Sequence, residues 1–211
     1  MNNNYHIWRD TNRLLLDRLY EKRFKTSPCS AIIYSFWSGN MSCLTKSFTL
    51  FVMTLLPILA EAQTCQTNNI LATTPTNRFT INNDGTVSDK KTGLTWKKCS
   101  EGQSGVDCRI GAAATYTWQG ALQQAQSVNN NGGFAGYKNW RLPSIKELHS
   151  IVEEQCIKPS INLAVFSESQ GDVYWSSSSS TYGSVAWYVG FGNGYSGSDY
   201  KDGGYFVRLV R

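Results

Sequence analysis

The sequence is poor in the features that mark several large protein classes. It has 5 prolines and 2 histidines in 211 residues, and only 17% of its residues are charged. That is too little charge for a disordered chain or a coiled coil, while 41% hydrophobic residues give globular composition. No Gly-X-Y period runs through its 18 glycines, which excludes a collagen-like stalk. There is no C-x2-C pair, so a zinc ribbon or finger is excluded. The length suits one domain with an appendage and excludes a large multidomain enzyme.

The net charge of +5 is unevenly placed. Residues 1–62 hold seven Lys and Arg against four Asp and Glu, and residues 63–211 hold thirteen against eleven. A balance of +2 without a basic stripe predicts no nucleic-acid partner.

Residues 41–62, MSCLTKSFTLFVMTLLPILAEA, combine Lys46, an apolar run from Phe48 to Ala60 and an A-x-A arrangement at Ala60 and Ala62. This is the pattern of a secretory signal peptide. It is short of the roughly 20 apolar residues of a spanning helix, so no stable membrane span is expected after cleavage behind Ala62. Residues 1–40 then read as an upstream extension or a mis-assigned start, with Met41 the expected initiator.

Export gives the cysteines a meaning, since an oxidising compartment lets thiols pair. Cys29 and Cys43 fall before the cleavage point, leaving Cys65, Cys99, Cys108 and Cys156. Cys99 and Cys108 flank the polar stretch SEGQSGVD and are expected to pair, which leaves Cys65 for Cys156. In the loop-entropy account the longer closure contributes on the order of 4 kcal/mol and the shorter one under 3. With one histidine in the mature part, His149, no metal site or cofactor is expected.

Residues 63–77 are polar and read as a loose leader, with the domain at 78–211. Phe79 and Ile81 alternate onto one face before Asp84-Gly85, and Thr92-Gly93 marks a second turn before Leu94 and Trp96; this is a hairpin pattern. TWQGALQQAQSV spaces Trp118, Ala121, Leu122, Ala125 and Val128 as one helix face, with Thr117 as N-cap. In PSIKELHSIVEEQC, Ser144 and Glu147 have capping-box spacing, and Ile145, Leu148, Ile151 and Val152 form the buried stripe of a second helix. His149 reads as surface or rim. Glu153 and Glu154 point in different directions on that helix, and Arg141 reads as half of an ion pair.

From Asp172 the chain turns to serine, glycine and aromatics, with strands over 186–191 and 205–210 and turns at Asn193-Gly194 and Asp202-Gly203. The serine run 176–180 reads as a short ordered crossing between strands. Trp175, Trp187, Tyr188, Phe191 and Phe206 are assigned to the core. The expected class is α+β, with helices segregated from antiparallel sheets.

Five blocks in this order, RFTINNDGTVSDKKTGLTWKKCSEG, TWQGALQQAQSV, GYKNWRLPSIKELHSIVEEQC, YWSSSS and AWYVGFGNGY with YFVRLVR, closely resemble the Lcl C-terminal domain family, a domain of unknown function. The resemblance covers about residues 75–211. It implies a C-type-lectin-like fold: two helices, antiparallel sheets and a long loop region able to carry a ligand site. One member type is the C-terminal domain of a collagen-like bacterial adhesin that engages sulfated polysaccharides. The chain departs from it in lacking the stalk. It also lacks the Glu-Pro-Asn and Trp-Asn-Asp tripeptides of calcium-dependent lectins, and no counterpart of the reactive cysteine pair of formylglycine-generating enzymes is evident.

The function expected is that of an exported, non-catalytic binding module for polysaccharide or another surface ligand, secreted, held at the cell surface or periplasmic. The alternative is a structural or protein-interaction component of the surface or an appendage. Aromatic rings pack on sugar C–H faces while hydroxyl and amide groups bond sugar hydroxyls. Tyr182, Tyr195, Asp199, Tyr200 and Lys201 are the expected ligand residues, with Lys90, Lys91, Lys97 and Lys98 a second, basic patch. No Ser/His/Asp arrangement or histidine-rich metal set suggests catalysis. The sequence assigns no oligomeric state.

Overall fold

A two-residue strand, β1 (Thr64–Cys65), opens the part of the chain described by the computed structural model, residues 62–211. The extension 1–40 and the signal-like segment up to residue 61 lie outside the described residues. β1 does not hang loose: it pairs antiparallel with β8 (Cys156–Ile157), and Cys65–Cys156 bonds the two. The leader that follows is docked as well. Thr74 is buried, and the Glu153 carboxylate accepts from the backbone and hydroxyl groups of Thr73 and Thr74. The expectation of a loose leader is therefore corrected. Its low hydrophobicity concealed hydrogen bonds made to residues about eighty positions later.

Both turn signals of the hairpin region act as read. β2 (Phe79–Ile81), β3 (Thr86–Asp89) and β4 (Thr95–Lys97) form an antiparallel three-stranded sheet. Gly85 takes φ 82°, a left-handed value that a side chain resists. Phe79 and Trp96 are buried, but Ile81 is 44% exposed, because it lies at the turn end of the edge strand. Beyond this sheet a short hairpin, β5 (Gln103–Ser104) and β6 (Ile110–Gly111), is bounded by the Cys99–Cys108 disulfide. Both expected cysteine pairings are present.

The largest sheet has the order β11-β10-β9-β12-β7. Its strands are β7 (Thr115–Tyr116), β9 (Val173–Ser179), β10 (Val185–Gly190), β11 (Tyr195–Tyr200) and β12 (Tyr205–Phe206). All pairings are antiparallel except β12 with β9, which meet in parallel at Phe206 and Tyr174. The serine run lies largely within β9, which corrects its reading as a crossing. Serine disfavours strands by propensity, but Ser176 is fully buried here and its hydroxyl donates to the Trp187 carbonyl at 2.7 Å, so tertiary contacts override the preference.

Among the described residues two α-helices pack with different cores. α1 (Trp118–Asn130) starts at Thr117, whose hydroxyl accepts from the Gly120 N–H. It buries Ala121 and Ala125 in a cluster with Trp140, Leu142, Trp175 and Leu209. α2 (Ile145–His149) has the full capping box: the Ser144 hydroxyl accepts from the Glu147 N–H and the Glu147 carboxylate from the Ser144 N–H. It is one turn long and not the longer helix that the stripe suggested. At Ser150 the chain leaves the helix, the hydroxyl donating to the Glu147 carbonyl. Ile151 and Val152 nevertheless stay buried in a second cluster with Leu148, Ile161, Tyr174 and Val189. Burying each gains roughly 1.5–3 kcal/mol whatever the local conformation, so a turn that keeps both inside loses little. Glu153 is thus off the helix and buried, and its neighbour Glu154 is exposed.

Residues 205–211 tie the sheets together. Val210 exchanges backbone hydrogen bonds with Arg141 at 2.9 Å, Arg211 exchanges them with Thr95, and Leu209 and Val207 accept from Lys97 and Glu101. Within this segment Arg208 is fully buried, donating to the carbonyls of Lys97 and Lys98 and the hydroxyls of Ser100 and Ser169, with its guanidinium over the Phe166 ring at 4.9 Å. The fold class is α+β, as expected, with the helices separate in sequence from the long strands.

Candidate functional site

The β10–β11 hairpin carries most of the exposed aromatic surface that the sequence pointed to. Its register pairs Gly190 with Tyr195, Tyr188 with Gly197, and Ala186 with Asp199. Paired residues share a sheet face, so Tyr188, Tyr195 and Asp199 lie together. Tyr188 sits edge-on to Tyr195 at 5.9 Å and 85°, and 5.6 Å from Tyr205; Tyr205 in turn lies 4.6 Å from the buried Trp175. The hydroxyls of Tyr188 and Tyr195 are 3.3 Å apart, and the Tyr205 hydroxyl donates to the Asp199 carboxylate. Burial, the Tyr195 hydrogen bond and the charge of Asp199 push the Tyr188 phenol above its ordinary range. It stays protonated at every physiological pH.

Glycines opposite the rings make this ladder possible. A methyl group at Gly197 would come within 2.6 Å of the Tyr188 hydroxyl, and one at Gly190 within 2.7 Å of the Tyr195 ring. Tyr195 is therefore held against bare backbone on one side and the edge of Tyr188 on another, yet is 47% exposed. An aromatic ring that is fixed before binding loses little freedom on contact with a ligand.

The five residues expected to bind ligand do not converge on one point. Tyr195 and Asp199 share a face. Tyr200, 63% exposed, pairs with Val185 on the opposite face, where Trp187 is its diagonal neighbour. Trp187 is 39% exposed, which corrects its assignment to the core: the burying elements do not extend over that part of the hairpin. Tyr182 stands in the β9–β10 loop, 77% exposed. The Lys201 ammonium donates to the Ser179 hydroxyl at 3.0 Å and the Gly183 carbonyl at 2.8 Å, and lies 4.3 Å from the centre of the Trp118 ring. It pins the loop that carries Tyr182.

The four lysines do not form one patch either. Lys97 pairs with Glu101 at 2.6 Å and lies over Phe134, and Lys98 donates to the Val106 carbonyl. Lys90 and Lys91 are exposed beside a depression of about 480 Å³ that Pro75 and Arg78 also line. Arg78 there is bonded to Asp89 through both carboxylate oxygens. Arg141 forms the ion pair read from the sequence, a two-point contact with Glu147 at 2.7 and 2.6 Å. His149 is half-buried, and among the described residues no three His, Cys, Asp or Glu are grouped so as to hold a metal.

Sequence reasoning missed one feature. A depression of about 350 Å³ opens beside Tyr195, lined by Lys158, Asp172 and Asn193 as well as by glycine backbone. Asn193-Gly194 was visible only as turn punctuation, and nothing local announces that residues 158 and 172 meet it. Among the described residues no helix is long and apolar enough to cross a membrane. Residues 85–211, more than half of the chain, match the family model of the Lcl C-terminal domain. No curated protein matches the chain.

Proposed function

The chain belongs to the Lcl C-terminal domain family, and on that footing we propose that it is an exported, non-catalytic module that binds polysaccharide or another cell-surface ligand. The observation that supports this reading is the exposed Tyr195 ring, fixed by Gly190 and Tyr188 beside amide, hydroxyl and carboxylate groups. A fixed ring can take the C–H face of a sugar while the polar groups bond its hydroxyls. We take the two helices, the mostly antiparallel sheets and the loop-rich binding end as a C-type-lectin-like fold. The two disulfides suit an oxidising compartment, hence a secreted, surface-held or periplasmic protein.

A second reading, a protein-interaction component of the surface, draws on the disulfide-bounded loop. Val106 is 86% and Ile110 65% exposed there, an apolar tip. A glycan array probed with and without EDTA separates the two. Binding that survives chelation is expected. Silence on every glycan would favour the protein partner, and turnover of any glycan would make the module an enzyme.

A further inference from the structure

The depression beside Tyr195 is built from three separate pieces of chain. The Lys158 N–H donates to the Gly192 carbonyl at 2.9 Å, and the Phe191 N–H donates to the Asp172 carbonyl at 2.9 Å. These backbone bonds hold residues 158 and 172 against the end of the β10–β11 hairpin, so the hollow is formed without a ligand. Its volume of about 350 Å³ lies at the lower end of the range of roughly 300–1,000 Å³ for small-molecule sites.

Gly171, Gly190 and Gly192 contribute backbone alone to the lining. Besides the overlap of a Gly190 methyl with Tyr195, a methyl at Gly192 would press to 3.1 Å on the Gly171 carbonyl oxygen. Bare backbone thus keeps the space open. Around it stand one cation, Lys158, one anion, Asp172, the apolar Val173, the Asn193 amide and the Tyr195 ring with its hydroxyl.

That composition selects a ligand class. The two formal charges are opposite, so the lining carries no net charge to draw a sulfated or carboxylated polymer toward it. Hydroxyl groups, which both donate and accept, suit the Asn193 amide and the Tyr195 hydroxyl that line the hollow. A C–H face can rest on the ring.

We propose that the hollow formed by Lys158, Asp172, Asn193 and Tyr195 is a subsite for one uncharged sugar unit of a neutral polysaccharide. The proposal rests on the polysaccharide reading given above and specifies its place and chemistry. Lys90 and Lys91, on the other depression, take no part in it.

Calorimetric titration of the full chain, with both disulfides formed, against dextran, mannan and galactan tests it, with dextran sulfate as the anionic counterpart. Binding of at least one neutral polymer is expected. Tyr195→Ala should weaken that binding about tenfold, and Asn193→Ala on the exposed turn should weaken it measurably. Tyr195→Phe should keep most of it, and a Lys90→Ala, Lys91→Ala double variant should leave it unchanged. Neutral-polymer binding that ignores both Tyr195→Ala and Asn193→Ala overturns the subsite but leaves polysaccharide binding standing. So does binding of dextran sulfate alone, abolished by the Lys90/Lys91 variant. Failure of every glycan, here and on the array, overturns both.

Discussion

Thr74 gives both its backbone N–H and its hydroxyl to one oxygen of the Glu153 carboxylate, each at 2.8 Å and across 79 positions of sequence. The other oxygen takes the Thr73 N–H at 2.9 Å. Together these bonds turn a polar leader into part of the folded domain.

Glu153→Gln should therefore loosen residues 66–77 while the rest of the domain holds. Replacing a charged acceptor of several hydrogen bonds by an amide, one end of which is a donor facing donors, costs about 2 kcal/mol. Burial raises the Glu153 pKa, but the bonds from Thr73, Thr74 and Gln155 outweigh it and hold the carboxyl below its ordinary 4.5. A depressed pKa stabilises above the unfolded value and is lost as pH falls through the folded one. Hydrogen exchange at the Thr73 and Thr74 amides should accelerate as pH drops below about 4.5, after correction for intrinsic rates. Protection that is the same in Glu153→Gln as in the native chain would refute the latch.

Glu147 is held down for a different reason. Its hydrogen bonds to Arg141 are the largest cause, opposed by burial and helped by Ser144, and its pKa falls to about 2. The carboxyl resonance should titrate near that value in an NMR experiment, and Arg141→Ala should return it toward 4.5. Because Arg141 is half exposed, the stability lost in that variant should be only about 1 kcal/mol. It is present above pH 4.5 and disappears as pH falls toward 2. A native titration midpoint near 4.5 would show that the ion pair does not persist in solution.

Arg208→Met keeps the stem of the buried side chain and removes its donors. The Lys97 and Lys98 carbonyls and the Ser169 hydroxyl then lose a partner inside the core, a loss of about 3 kcal/mol. Arg208→Lys should not restore it, since an ammonium cannot reach acceptors arranged for a planar fork. Denaturant midpoints at unchanged slope give the measurement, and a lysine variant as stable as the native protein would contradict the geometry.

Lys201→Met breaks the bridge from the turn after β11 to the β9–β10 loop. Global stability should move by under about 1 kcal/mol, as for other solvent-accessible charge contacts. Exchange across residues 180–184 should speed up and Trp118 fluorescence should change, because the ammonium over that ring is gone. An unaltered loop would mean that Ser179 and Gly183 are held by strand pairing alone.

What could be read from the sequence is what short range decides. Thr117, the Ser144 and Glu147 box, and the turns at Asp84-Gly85 and Asn193-Gly194 act within four residues, and each took its expected form. The cysteine pairs followed from counting and from a polar loop able to close. Helical spacing ran on through Ile151 and Val152 because both are buried, and periodicity cannot tell a buried turn from a helix. Ser176 in a central strand, Trp187 left in solvent and Thr74 beneath Glu153 were hidden because distant residues decide them. The same is true of the hollow at Tyr195, where Lys158, Asp172 and Asn193 are neighbours only in space.

The threading of residues 205–211 between strands laid down much earlier has a consequence for the whole domain. Every partner of that segment, from Thr95 and Arg141 to Tyr174, precedes it, and neither apolar cluster closes without Val207, Leu209 and Val210. The strands that come before it do not by themselves yield a closed core. A change that unseats this segment is therefore felt in both clusters at once.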